Sequence, residues 1–460
     1  MIVMKFGGTS VGSGPMLQRC CEIVAAAPRE RVVVISAMNG VTDSIIEALP
    51  RVQRDEGAIE PFLRTLLDRH VSTLRDAGAT DAETQRVSRE IDTLLQRFER
   101  LLYGIAYTEE LTAKTKDMAV SFGERLSVRV LAGLLRSRGE EAEALDADDA
   151  GMLTDGVFGN ASPIMPAISK NLERTVVGRI AGGVTPIMTG FFGCDSAGRV
   201  TTFGRGGSDY AASIVAAALK AQRLEIWKDV DGFLTADPRI IKDAQPIEEM
   251  TYDEAAELAY TGAKVLHPRT VEPLKEGNIP ILVRNTASPT LQGTIISGMA
   301  PVSRRNLRSA AVRENLAIVR ISGPGMGYTP GVGEKVFTAL GRSKVNVYNM
   351  AASQASFALL IDEPDLDRAM KSIQGLNDPI IQSVEGITDM CLVCVVGVGI
   401  GSTHGTAGKI FTAVGRANVN IDMISVGASE IALNFVIHRK DRDPCIKAIH
   451  SEFLLERPAA

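Results

Sequence analysis

Between residue 1 and about residue 300 the chain alternates short runs rich in Val and Ile with amphipathic or Ala-rich stretches. Strands buried on both faces read as near-continuous apolar runs, so the pattern predicts a three-layer, doubly wound, mostly parallel sheet covered by helices. The expected strands are 2–6, 31–36, 185–189, 224–228 and 279–284. Residues 16–26 predict a helix: Met16, Leu17, Cys20, Ile23 and Val24 fall on one face, and Pro15 suits a first turn. From about 51 to 115 the composition shifts to Arg, Glu, Asp and Leu with little Gly or Pro, which predicts two or three solvent-facing helices inserted into the α/β unit. The arginines there read as a solvated face or a subunit contact rather than a phosphate site.

The last third contains an internal repeat. Residues 322–347 align without gaps to 396–421, with about half the positions identical. Each copy reads as strand, Gly-rich turn, helix, two further strands and a second helix, a ferredoxin-like βαββαβ unit. The expected organisation is a domain over 1–300 carrying the 51–115 insertion, a linker near 300–308, and two small units over 309–385 and 386–460.

Charge and composition narrow the class. The 460 residues carry 50 Lys plus Arg against 55 Asp plus Glu, a formal net charge of -5, so no global positive field exists to hold nucleic acid or an anionic membrane. No apolar run reaches the length of a membrane span, and the chain opens on a strand-like MIVMKF without the pattern of a secretory signal; a cytoplasmic location is expected. The six cysteines are scattered and expected to be reduced, and Cys391 with Cys394 forms a lone CxxC in an apolar run. No second CxxC and no HExxH accompany it, so no protein-held metal is expected.

Four segments carry candidate chemistry. Lys5-Phe6-Gly7-Gly8-Thr9-Ser10 follows a strand and precedes a helix; paired glycines let backbone amides approach an anion, and a lysine adds a point charge for phosphate oxygens. A tight turn with a surface lysine is the plain alternative. In Thr202-Phe203-Gly204-Arg205-Gly206-Gly207-Ser208-Asp209 an arginine held between glycines is free to pair with a small carboxylate, while Ser208 or Asp209 could simply cap the following helix. Trp227-Lys228-Asp229 runs from a strand into an acidic loop that reaches Arg239, and Gly262-Ala263-Lys264-Val265-Leu266-His267-Pro268 places a lysine and a histidine before a proline. His267 is read as structural.

Taken in order, KFGGTS, VVVISAMNGVT, SFGERLS, TTFGRGGSDYAA, WKDVDGFLTADPR and GAKVLHP resemble the aspartate kinases of the amino acid kinase superfamily, and the repeat resembles their paired ACT domains. The resemblance covers essentially the whole chain. It implies the amino acid kinase fold followed by two ACT units, and ATP-dependent phosphorylation of the side-chain carboxylate of L-aspartate to 4-phospho-L-aspartate, the entry to lysine, threonine and methionine synthesis.

By the same resemblance Lys5, Asp209 and Lys264 would be catalytic, and Lys5, Gly7, Gly8, Thr9 and Ser10 would hold phosphate. Thr42, Glu124, Arg205, Gly206, Gly207 and Ser208 would hold aspartate. Lys228, Asp229, Leu234, Arg239, Lys264 and Val265 would hold ATP, whose phosphates would carry Mg2+. The chain departs from the pattern at Leu234, where tyrosine is common, and at Lys228, where many members have Thr or Ser.

An effector, lysine and/or threonine, would bind an ACT unit. In the first copy it would meet Met326, Thr329, Gly331, Val332, Asn346 and Asn349; in the second, Ser402, Thr403, Gly405, Asn420 and Asp422. One copy could instead be a dimerisation scaffold, and the units could exchange strands, the C-terminal segment completing the first. A homodimer or dimer of dimers through the ACT units is implied. Other superfamily kinases lack this combination of motifs, and no dinucleotide-binding domain of a fused dehydrogenase is expected. A catalytically idle amino acid sensor is the alternative from another class, and the joint presence of Lys5, Glu124, Arg205, Asp209 and Lys264 speaks against it.

Overall fold

The computed structural model describes residues 1–262, 265–298, 307–398, 400–401, 403–427 and 429–453. The chain divides into two compact units, one of Met1–Phe233, Glu248–Tyr252 and Val265–Ala300, the other of Leu234–Ile247, Asp253–Lys264 and Pro301–Ala460. Two segments inside the first 300 residues therefore group with the C-terminal repeats.

The first unit is built on strands β1 (Ile2–Phe6), β2 (Arg31–Ile35), β3 (Ala142–Leu145), β4 (Thr185–Thr189), β5 (Phe192–Cys194), β6 (Val200–Thr202), β7 (Leu224–Lys228), β8 (Glu249–Thr251), β9 (Ile281–Asn285) and β10 (Thr294–Ser297). Eight of them form one sheet in the order β3-β4-β2-β1-β7-β9-β10-β8, parallel except where β10 meets β9, while β5 and β6 make a separate two-stranded ribbon. Every residue of β1, β2 and β4 is buried, as strands covered on both faces require. Helices Gly14–Ala26, Ile59–Asp76, Asp81–Thr108 and Phe122–Ser137 send Leu17, Leu66, Phe98 and Leu131 into the core of Met4, Phe6, Val33 and Ile35. Ile59–Asp76 and Asp81–Thr108 are the charged insertion; the second starts at Thr80, whose hydroxyl accepts from the Glu83 amide.

β1 and β7 are central neighbours in register Lys5↔Ile226 and Phe6↔Trp227. Their carboxyl ends, with the turn after β2, mark the place where open α/β sheets put ligands. The helix Gly207–Ala218 begins there.

The second unit contains β11 (Ser309–Ser322), β12 (Val347–Ala352), β13 (Ser356–Asp362), β14 (Ser383–Val396), β15 (Met423–Ser425) and β16 (Ala432–His438). They form one antiparallel sheet, β12-β13-β11-β14-β16-β15, in which the two copies join through their first strands from Ser309↔Val396 to Ser322↔Ser383. The boundary expected at 385 falls inside β14. Each long strand serves both copies: Ala310 packs with Val393, Val414 and Ile449 of the second, while Val384 packs against Ile321, Leu340 and Ile373 of the first. Strand sharing thus runs through β11 and β14; the C-terminal segment expected to complete the first copy instead packs Cys445, Ile446 and Ile449 into the second copy's core. Among the described residues no helix is long and apolar enough to cross a membrane.

Candidate active site

Past the end of β1, the Gly7 amide donates to the Trp227 carbonyl at 3.1 Å, which carries the β1–β7 pairing into the glycine turn. A side chain on Gly8 would stand 2.6 Å from the Ala37 carbonyl oxygen, and the Asn39 amide donates to the Gly8 carbonyl at 3.0 Å, so the turns after β1 and β2 touch backbone to backbone. Thr9 is exposed. Ser10 is fully buried, and its hydroxyl meets that of Thr286 at 2.8 Å. That serine is thus tied to the segment after β9 and fixes the turn.

Lys5 projects from β1 into a nearly dry position, 4% exposed, and its Nζ lies 2.5 Å from Asp209 Oδ1. Asp209 sits in the first turn of the helix Gly207–Ala218 and is equally buried. Its second oxygen lies 2.7 Å from Lys228 Nζ, which also donates to the Val265 carbonyl at 2.7 Å. Burial alone would raise the Asp209 carboxyl, but the Lys228 and Lys5 ammoniums hold it well below the usual carboxylate range. Burial pushes the Lys5 ammonium below its ordinary value; Asp209 opposes the shift and Lys228 adds to it. The side-chain parity of a strand accounts for the meeting: Lys5 registers with Ile226, so Lys228, two residues on, points to the same face.

Glu124, on the helix Phe122–Ser137, is 3% exposed, and one of its oxygens has no hydrogen-bond partner. Burial pushes its carboxyl up to about 8 against hydrogen bonds from the Ala37 backbone and the Ser208 side chain and the nearby Lys5 charge. Thr42 joins this group: a side chain on the preceding Gly123 would lie 3.6 Å from Thr42 Oγ1 and 2.8 Å from Ala37 Cβ.

Arg205 is exposed and has no ion-pair partner among the described residues. Gly206 has φ +71°, and any side chain there would collide with His267 at 2.4 Å; His267 accepts from the Arg269 amide and starts a short turn, the structural part read from the sequence. Gly207 is packed against Phe191 and Phe203. Lys264 lies outside the described residues. Val265 is buried, Asp229 is exposed, and Leu234 and Arg239 belong to the second unit, Arg239 paired with Asp237 at 2.5 Å. The structure thus brings Lys5, Gly7, Gly8, Thr42, Glu124, Ser208, Asp209, Lys228 and Val265 into one neighbourhood of the first unit.

Two supports went unread in the sequence. Asp117 accepts from the Gly159 and Thr202 amides and the Thr202 hydroxyl, and Arg269 lies 4.4 Å over the Tyr210 ring while bonding the Phe203 and Ala161 carbonyls. Both pin the segment leading into the Arg205 loop. Neither is marked by a motif, because the partners are far apart along the chain.

In the acidic group Asp146, Asp148 and Asp149, the first two are taken up by arginines: Arg125 lies 2.7 Å from Asp146 and 2.6 Å from Asp148, and Arg129 also pairs with Asp146. Asp209 has both oxygens occupied by ammoniums. The chemistry on offer is therefore cationic and amide-based, suited to stabilising charge on a phosphoryl group beside a buried acid that can meet an ammonium.

Comparison with known proteins agrees with that chemistry. Residues 1–285 match the amino acid kinase family, and 319–375 and 393–453 match the ACT domain. Aspartokinase 1, chloroplastic, of Arabidopsis thaliana is 34% identical over 98% of this chain and 80% of its own length. The chain belongs to the aspartokinase family. Aspartokinase III of E. coli in complex with aspartate and ADP superposes with a TM-score of 0.84 at 30% identity, covering 99% of this chain and 100% of that one; the same enzyme in complex with lysine and aspartate gives 0.83. As an aspartokinase the protein transfers the terminal phosphoryl group of ATP to the side-chain carboxylate of L-aspartate under ACT-domain regulation. An idle sensor is not favoured. Substituting Gly8 with alanine is expected to lower aspartokinase turnover about 100-fold, since the added carbon must displace the turn amides; steady-state rates with the melting temperature as a control check this.

Proposed function

We propose that Lys5, with the amides of Gly7 and Gly8 and with Thr9, holds the β and γ phosphates of ATP, and that Asp209 orients Lys5. Asp229 and Val265 contact the nucleotide. Glu124 receives the ammonium of L-aspartate, Arg205 with Gly206, Gly207 and Ser208 receives a carboxylate, and Thr42 adds a contact. The observation that carries this reading is the buried Lys5–Asp209–Lys228 group standing beside the Gly7–Gly8 turn. A carboxylate nucleophile needs no general base, so the site has to bring two anions together and stabilise the charge spread over the moving phosphoryl group. The aspartate oxygen forms the new bond to phosphorus as the bond to the ADP oxygen breaks, and no proton changes hands. With Asp209 occupied, Mg2+ would be held mainly through the ATP phosphates. Trapping the acyl phosphate as its hydroxamate with ATP and L-aspartate tests the reading; no product at millimolar aspartate would sink it.

The finer assignments belong to the same proposal. A lysine and/or threonine effector is supported by the ACT pair and would tie the enzyme to lysine, threonine and methionine synthesis. Met326 and Val332 are buried in the first copy's core, so direct contact there falls to Thr329, Gly331, Asn346 and Asn349, which are exposed or half-buried. In the second copy Asn420, Asp422, Thr403 and Gly405 are exposed, and Ser402 lies outside the described residues. Inhibition of the hydroxamate assay by lysine, threonine or the pair separates the possibilities. Among the described residues β12 and β15 stand at the two ends of the sheet, which supports a homodimer or dimer of dimers, to be read from light scattering. A cytoplasmic location, to be read by cell fractionation, completes the proposal.

A further inference from the structure

The sequence places Lys228 at the head of the nucleotide loop, where a wall of the nucleoside pocket is expected. Its ammonium instead meets Asp209 and the Val265 carbonyl. It lies on the same face as Lys5, across the glycine turn: a side chain on Gly7 would have Lys5 Nζ at 3.8 Å and Lys228 Cγ at 3.9 Å as neighbours. Both ammoniums grip one carboxylate, Lys5 on Oδ1 and Lys228 on Oδ2 of Asp209.

Charge counting gives this arrangement a consequence. Lys5 with Asp209 alone is a neutral pair, which has little to offer an incoming triphosphate. Lys228 leaves the buried group with one surplus positive charge next to the turn amides. Donor counting agrees, since an ammonium has three protons, and Asp209 and the Val265 carbonyl account for two of those on Lys228. The titratable groups that interact with this cluster are Lys5 from β1, Asp209 from the helix Gly207–Ala218, Glu124 beside Lys5, and His267, which faces Asp209 and Lys228.

We propose that Lys228 is a catalytic cation of the phosphoryl-transfer centre, holding Asp209 and the Val265 carbonyl with two protons and offering the third to the terminal phosphates of ATP beside Lys5. The inference rests on the aspartokinase reading above. In the transfer step it donates a hydrogen bond to a phosphoryl oxygen as the aspartate oxygen attacks phosphorus and ADP leaves.

The test uses the full-length enzyme with Lys228→Met, which keeps the length and removes the charge, and Lys228→Arg, which keeps the charge. In Lys228→Met, kcat is expected to fall about 100-fold with the KM for aspartate little changed, and a non-hydrolysable ATP analogue to bind about tenfold more weakly while AMP binds as before. Lys228→Arg is expected to recover at least about a tenth of the wild-type kcat. Equal weakening of AMP and the ATP analogue would assign Lys228 to the nucleoside pocket and overturn the proposal, as would unchanged turnover in Lys228→Met. If Lys228→Met does not fold, Lys228→Arg decides through the same ratio of triphosphate to AMP affinity, which has to stay at the wild-type value. Failure of the aspartokinase reading is distinguishable, because the wild-type enzyme would then form no acyl phosphate.

Discussion

Asp209→Ala is expected to reduce turnover about 100- to 1,000-fold while leaving the apparent affinity for ATP unchanged or higher. The carboxylate is buried with an ammonium on each oxygen. Removing it leaves two cations that repel in a water-poor crevice, and the phosphates of ATP are the nearest charge able to compensate. The ground state is therefore bound well but displaced from the line of attack, which separates kcat from KM. The unliganded variant should also lose stability by about 3 kcal/mol, as happens when one partner of a buried ion pair is removed. Asp209→Asn keeps the volume and should lose less. The pH dependence has a definite sign. The folded-state pKa of Asp209 lies below its ordinary 3.8, so the ion pairs stabilise fully above that value, and the stabilisation drains away as pH falls through the lower folded value. The stability gap between wild type and Asp209→Asn, measured by urea unfolding, should narrow below about pH 4. A gap constant with pH would remove the ionic account.

How much of this could be read in advance depended on whether partners were near in sequence. The strands 2–6, 185–189 and 224–228 coincide with β1, β4 and β7, because runs buried on both faces carry an unmistakable apolar signature. β3 was not foreseen: AEAL, with two residues buried, looks like the helices around it. The short β8 and β10 were missed for the same reason. In the site, the glycine turn and the Asp209 helix were legible as local motifs. The inward turn of Lys228 was not, since it follows from the Lys5↔Ile226 register, and register between strands more than 200 residues apart has no local mark. The contact of Ser10 with Thr286, from beyond β9, was equally invisible in the sequence. The repeat announced two units, but not that β11 and β14 would fuse them into one sheet.

Glu124→Gln should raise the stability of the unliganded enzyme at alkaline pH while weakening aspartate binding about 100-fold. The carboxyl is buried, one oxygen lacks a partner, and its pKa stands near 8 against an ordinary 4.5. Between those two values the folded state binds a proton that the unfolded state has released. Stability contributed by the group therefore falls as pH rises from about 4.5 to about 8, and above that the protein carries a buried, poorly compensated negative charge. Glutamine carries no such charge, so the variant's advantage in melting temperature should grow up to about pH 8 and shrink toward pH 5. The same strain is useful once the substrate ammonium arrives, because an ion pair forms where the empty site holds a neutral acid. Binding of aspartate at pH 7 should consequently release about one proton, read by calorimetry in buffers of different ionisation heat, and Glu124→Gln should release none. Proton release equal in the two proteins would mean that the ammonium is received elsewhere, and the stability cost of burying Glu124 would then have no counterpart in binding.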